Sequence, residues 1–172
     1  MKILNGYALI AVAFGPRPAL RARKKTRDGD GGQATQALGR SRGGFGTKIH
    51  AVVNPFGHPV AVHLTGGEAA DSPQLPELIK TQETTAVIAD KGYDSDENRA
   101  AIREIGAEPC IPPRRHRKEE IAYDRHLYKE RNVVERFFGR IKQFRRVGTR
   151  YDKKAANYLG FVWLASITFM LA

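Results

Sequence analysis

Apolar and polar positions first fall into a regular pattern from Thr47. Thr47 to Val53 and Pro59 to Leu64 are β-rich runs, separated by the turn sequence Asn54-Pro55-Phe56-Gly57. Two such runs around a cluster of turn formers predict a β-hairpin. Asp71-Ser72-Pro73 then offers an N-cap with proline close behind, and Leu75, Leu78 and Ile79 set a helical stripe, so a short helix covering the hairpin is expected. Thr85 to Ala89 reads as a brief apolar strand ending at Asp90, Ser95 to Ile105 as a helix stopped by Gly106, and Glu108 to Ile111 as a further strand before Pro112-Pro113. Residues 114 to 125 are charged and irregular. A long helix is expected from Leu127 to Arg146 and a last one from Lys154 to the end. Strands alternating with helices predict an α/β domain with one central sheet.

The first 32 residues have no coherent period: an apolar start, Gly15-Pro16-Arg17-Pro18, a basic run from Arg21 to Arg27, then Asp28-Gly29-Asp30-Gly31-Gly32. Such composition reads as poorly ordered linker. Ile3 to Phe14 has the look of a short signal-peptide core, but Gly6 and Tyr7 interrupt it and the basic remainder is a poor secretory cargo. The tail from Ala155 to Ala172 has the minimum length of a membrane span. Asn157, Ser166 and Thr168 lie inside it, so a buried core helix is expected there. At 172 residues the chain has room for one well-formed core.

Charge narrows the class of partner. With 29 Lys and Arg against 18 Asp and Glu, the formal charge is +11. Such an excess favours a polyanion, because each neutralised phosphate releases condensed counterions. Nucleic acid is the expected partner, although charge alone does not separate an enzyme from a binding module. Cys110 is the single cysteine, which excludes an internal disulfide and fits a reducing cytoplasm.

Two carboxylates stand out. Asp90 sits where a short buried strand gives way to Gly92-Tyr93, and ligands gather outside the carboxyl ends of sheet strands; a turn or cap aspartate is the structural alternative. At roughly 100° per residue, Tyr128, Arg131, Glu135, Lys142 and Arg146 share one face of the expected long helix, while Val133, Phe137, Ile141 and Phe144 group on the other. A carboxylate ringed by cations suits a metal ligand among phosphate-binding groups; the alternative is a solvated charged face. Were the apolar stripe packed on the sheet, Glu135 would point away from Asp90. The last helix, with Tyr158, Val162, Trp163 and Phe169, is therefore expected to cover much of that stripe.

Several segments resemble bacterial insertion-sequence transposases of the DDE class: Gly39-Arg40-Ser41-Arg42-Gly43-Gly44, Thr47-Lys48-Ile49-His50, Asp90-Lys91-Gly92-Tyr93-Asp94, Ile111-Pro112-Pro113 and Thr149-Arg150-Tyr151-Asp152-Lys153. The most specific is Tyr128, Arg131, Glu135 and Lys142, which reproduces the family's Tyr-Arg-Glu-Lys pattern with its full spacing. The resemblance covers residues 33 to 172. It implies a ribonuclease-H-like mixed sheet flanked by helices, incomplete at its N-terminus, acting on DNA phosphates with three carboxylates and two Mg2+ or Mn2+ ions. By position, Asp90 and Glu135 are the catalytic and metal-binding carboxylates, and Tyr128, Arg131, Lys142 and Arg146 contact DNA. The implied partners are the double-stranded DNA of insertion-sequence ends and target, with a second copy of the chain on DNA and no membrane; the implied location is the bacterial cytoplasm, on the nucleoid. The family's first aspartate, usually followed by Ser or Thr, has no counterpart before Arg40. Asp28 and Asp30 are the only upstream aspartates, and both stand in a Gly-rich stretch. Residues 1 to 32 accordingly read as foreign to the family, and the chain as a truncated or frameshifted copy, inactive alone. The competing expectations are a basic DNA-binding protein without catalysis and a small tail-anchored membrane protein.

Overall fold

In a computed structural model, residues 6–14, 32–119 and 121–171 are described, less the side chains of residues 11–14, 33, 34 and 169. In chain order the elements are β1 (Ala8–Phe14), α1 (Gly32–Thr35), β2 (Gly39–Ser41), β3 (Gly44–Val53), β4 (Pro59–Gly66), α2 (Leu75–Ile79), β5 (Ala86–Ala89), α3 (Asp96–Glu104), β6 (Glu108–Cys110), α4 (Arg125–Lys129), α5 (Asn132–Ile141), α6 (Arg145–Gly148) and α7 (Ala155–Met170). The strands make one mixed sheet in the order β2-β3-β1-β5-β6, with β4 paired to β3. Backbone proximity divides the chain into two compact units, residues 1–11, 51–61 and 70–137, and residues 12–50, 62–69 and 138–172.

In the first unit β1 and β5 run parallel, with Ala8, Leu9 and Ile10 opposite Val87, Ile88 and Ala89, and β5 and β6 are parallel in turn. Leu9, Ile10, Val87 and Ile88 are wholly buried. Parallel strands are covered on both faces and so read as continuous apolar runs without alternation. That explains why the sequence reading of residues 1 to 32 as linker is corrected at Ala8–Phe14, which forms a strand: a search for alternation passes over such a run. The basic run Arg21–Arg27, with Asp28 and Asp30, lies outside the described residues.

The expected hairpin is present, and its turn is fixed by Asn54, whose Oδ1 accepts from the backbone N–H of Phe56 and of His58, both at 3.0 Å. α3 follows the sequence closely: the Ser95 hydroxyl caps it by accepting from Asn98 N at 3.1 Å, Asp96 and Glu97 occupy its first turn, and Gly106 at φ +77° ends it. α3 packs on α2 and β6. Ser95→Ala should lower stability by about 1 kcal/mol, read as a lower urea midpoint with unchanged slope.

The expected long helix from Leu127 to Arg146 is instead three: α4, α5 and α6. Arg131 N bonds Tyr128 O and Val133 N bonds Glu130 O, both three residues back, and Phe144 is extended at φ −74°, ψ 117°. Apolar periodicity cannot register such tightened turns, since buried residues recur on either side of them. Gly148 is needed where the chain doubles back, because a Cβ there would stand 2.6 Å from Lys142 O.

The second unit is organised around Arg150, 1 % exposed. Its guanidinium donates to the carbonyls of Gln36 (2.8 Å), Ala37 (3.1 Å), Asp152 (3.0 Å) and Lys153 (3.2 Å) and to the Thr47 hydroxyl, and lies 5.2 Å from the Tyr158 ring centre. α7 packs on α6, where the Tyr158 hydroxyl donates to Val147 O at 2.9 Å. Ser166, one of the polar interruptions of the tail, is buried and satisfied by donating to Val162 O at 2.8 Å. Among the described residues no helix is long and apolar enough to cross a membrane. The Phe169 side chain lies outside the described residues.

Candidate catalytic carboxylates and their basic surround

β5 delivers Asp90 at its carboxyl end in extended conformation, where it caps a single tight turn, Lys91–Tyr93, with Oδ1 accepting from Gly92 N at 2.7 Å. A Cβ on residue 92 would stand 2.8 Å from that same oxygen, so a larger residue there would push the Asp90 carboxylate aside. The turn is clamped from behind by Asp94, whose carboxylate is fully buried. Its Oδ1 accepts from Arg99 Nε at 2.9 Å, and its Oδ2 from Arg117 Nε at 2.9 Å and from the backbone N–H of Arg114 at 2.8 Å. Arg114 closes the clamp by donating its side chain to Lys91 O (3.2 Å) and Gly92 O (2.6 Å), while Arg99 also donates to Ile111 O at 2.7 Å. Burial works to raise the Asp94 pKa, but the hydrogen bonds from Arg117, Arg114 N and Arg99 outweigh it and hold the carboxyl below its ordinary value. Asn98 ties in a neighbouring turn, donating to Tyr93 O and to the Ser72 hydroxyl, both at 2.8 Å.

Glu135 comes from the first turn of α5. α4 leads into it, started by Asp124, whose Oδ1 accepts from His126 N (2.8 Å) and Leu127 N (3.0 Å). Cys110 Sγ donates to Asp124 O at 3.2 Å, and burial pushes its thiol up to about 11, an unreactive structural cysteine. Glu135 Oε1 accepts from Arg131 Nη2 at 2.7 Å, the Arg131 guanidinium lies 5.8 Å from the Tyr128 ring centre, and Tyr128 meets Tyr123 edge-on at 5.5 Å. Burial raises the Tyr128 pKa; Arg131 opposes that rise and the Asp90 charge adds to it. Contacts join Tyr128, Arg131 and Glu135 in the compact unit that also holds Asp90. The phenol stays neutral and able to donate a hydrogen bond.

Lys142 and Arg146 belong to the second unit. Lys142 is exposed. Arg146 lies 3.7 Å from Asp152 and stacks 4.5 Å from the Phe161 ring centre. The expectation that all five residues share one helical face is corrected, because the breaks between α4, α5 and α6 interrupt the helical phase that placed them together. Among the described residues, no three of His, Cys, Asp and Glu are grouped so as to hold a metal ion. Sequence reading also missed the Asp94 clamp. Asp94 lies inside a motif singled out above, but nothing in the pattern signals that Arg99, on a helix, is buried.

The Transposase DDE domain family matches residues 20–170. This chain belongs to that family. It is 38% identical over 121 residues to the protein assigned as transposase of insertion sequence element IS6501 in Brucella ovis, an alignment covering 69% of this chain and 93% of that one. It is 35% identical over 131 residues to the protein assigned as transposase of element IS402 in Burkholderia cepacia, covering 69% of this chain and 60% of the relative. The transposase of element IS1106 of Neisseria meningitidis serogroup B is 33% identical over 114 residues, or 62% and 40% of the two chains. Among solved structures, the catalytic core domain of BIV integrase superposes with a TM-score of 0.50 at 12% identity, covering 95% of this chain and 82% of that one. The piggyBac transposase synaptic complex with hairpin DNA gives 0.50 at 10% identity, with 93% and 45% covered. These two likenesses are of fold, and they bear out the ribonuclease-H-like mixed sheet expected for a DDE transposase.

Proposed function

We propose that this chain is the catalytic domain of an insertion-sequence transposase that engages double-stranded DNA through Tyr128, Arg131, Lys142 and Arg146, with Asp90 and Glu135 as two of the three catalytic carboxylates of its family. The observation that carries this reading is that Asp90, at the carboxyl end of β5, and Glu135, held by Arg131 beside Tyr128, lie in one compact unit. Family membership supports the class of reaction, cleavage and transfer of DNA strands. The family's divalent ions, Mg2+ or Mn2+, would polarise phosphate oxygens and activate the attacking oxygen.

The donor set present does not fit a complete pair of such ions. β1, the parallel neighbour of β5, reads Ala-Leu-Ile-Ala-Val-Ala-Phe and brings no carboxylate. The pairing ends at Ile10 and Ala89; continued by one step, it would set residue 11 opposite Asp90, a position from which a third carboxylate would join it. We infer that the chain as it stands binds DNA without cleaving it, because two carboxylates leave the ions short of a ligand. Its own residues then act by positioning: Arg131 neutralises Glu135, and the neutral Tyr128 donates to a phosphate oxygen.

DNA affinity should fall by roughly a hundredfold between about 50 and about 200 mM salt, as neutralisation of some four phosphates requires. Glu135→Gln should bind at least as tightly as the unmodified chain, since it removes a negative charge from the surface that meets DNA. Fluorescence anisotropy with a labelled duplex measures both, and salt-insensitive binding, or loss of binding in Glu135→Gln, would count against the reading.

A further inference from the structure

A cleft of about 700 Å3 lies within the second unit, between the β2–β3 hairpin and the turn at Gly67, and none of the DNA or metal contacts proposed above lines it. Its floor is backbone. Gly67 N donates to Gly46 O at 3.0 Å, and a Cβ on residue 67 would stand 3.1 Å from Gly39 O, so glycine lets the two segments close. The hairpin turn is rigid: the Ser41 hydroxyl donates to Gly44 O at 3.1 Å and accepts from Gly43 N at 3.2 Å, and Gly44 holds φ +107°. A Cβ built on Gly44 meets nothing within 4 Å, so this part of the wall is bare backbone facing open space.

The charges lining the cleft are unequal. Arg40, Arg42 and Lys48 stand against the single carboxylate of Glu68. Lys48 is buried and donates to Ala69 O at 2.6 Å, adding positive charge to the wall. Arg40 and Arg42, two residues apart at the rigid turn, are exposed. Among the described residues no hydrogen bond or ion pair engages either guanidinium.

We propose that this cleft is a second DNA-contact site, in which Arg40 and Arg42 grip consecutive phosphates of the duplex backbone. Three features fit a phosphodiester ribbon: a net positive lining, paired forks that match phosphate oxygens, and a glycine wall that allows close approach. A site built this way positions DNA without reading its sequence. The inference rests on the reading of this chain as a DNA-engaging transposase domain and adds to it a surface remote in sequence from Asp90 and Glu135.

The test is the salt dependence of binding to a labelled random-sequence duplex, for the unmodified chain and three double variants. Each phosphate contact contributes about 0.9 to the slope of log affinity against log salt. Arg40→Ala with Arg42→Ala should therefore reduce that slope by about 1.8, with circular dichroism unchanged, whereas Arg40→Lys with Arg42→Lys keeps it. Lys80→Ala with Arg103→Ala, which removes the same charge from exposed positions on or beside α2 and α3, should leave the slope within about 0.5. Equal reductions in the two alanine pairs, or none in either, would overturn the site while leaving the transposase reading standing. Failure of the unmodified chain to bind the duplex would overturn that reading itself.

Discussion

Arg150→Met should destabilise the protein by about 4 kcal/mol or more, the largest single-residue effect expected. The guanidinium donates to four backbone carbonyls and one hydroxyl with almost no access to water. A hydrogen bond from a charged donor contributes about 1.5–3 kcal/mol, and a buried acceptor left without a partner costs about 1–3 kcal/mol. These do not add fully, but even half of their sum exceeds the loss of one apolar contact. Burial lowers the pKa of Arg150, with Tyr158 and Asp152 opposing that fall, and at any pH where the protein folds the group stays charged. Arg150→Lys should recover little, because an ammonium cannot reach the several directions a planar fork serves. Urea unfolding at neutral pH decides the matter, and a loss under about 1 kcal/mol for Met would show that water replaces the guanidinium there.

Asp94→Ala should cost about 3–5 kcal/mol, the range for removing one partner of a buried ion pair. It leaves the buried Arg99 without its carboxylate and releases Arg117 and the Arg114 backbone. Because the turn that Asp94 clamps carries Asp90, loss of stability should be accompanied by looser exchange protection at Gly92 and Tyr93. The pH dependence follows from the sign of the shift. The folded pKa lies below the unfolded value of about 3.9, so the contribution is present above that value and is lost as pH falls through the folded pKa. Stability of the unmodified protein should be level above about pH 5 and decline in acid, and Asp94→Asn should flatten that decline. An acid limb unchanged in Asp94→Asn would mean that other carboxylates set it.

How much of this was readable in advance depended on what each element's residues must satisfy locally. α3 was legible because Ser95, Asp96 and Gly106 act through their own backbone neighbourhood, and the β3–β4 hairpin because Asn54 and Gly57 specify its turn. β1 was not, since its buried run Ala8, Leu9 and Ile10 shows no alternation to detect and its place is decided by β5, whose paired residues lie 79 positions along the chain. The division of the Leu127–Arg146 segment into α4, α5 and α6 was equally hidden: an apolar stripe persists across a tightened turn, so periodicity reports burial and not continuity. Asp90 and Glu135 could be picked out from motif spacing. The contacts of Arg131 with Glu135 and Tyr128, and the Asp94 clamp beside Asp90, depend on side-chain geometry that spacing does not encode.

We propose that Asp90 and Glu135 belong to a carboxylate set whose third position, on β1, carries no charge. Mn2+ affinity measured by electron paramagnetic resonance tests it without requiring a DNA substrate. The unmodified chain should bind Mn2+ weakly, and the double substitution Ala11→Asp with Val12→Ser should tighten binding at least about tenfold, a gain of about 1.4 kcal/mol. Adding Asp90→Asn to that double variant should abolish the gain. Tight Mn2+ binding by the unmodified chain that disappears in Asp90→Asn would contradict the account, as would no gain at all in the folded double variant.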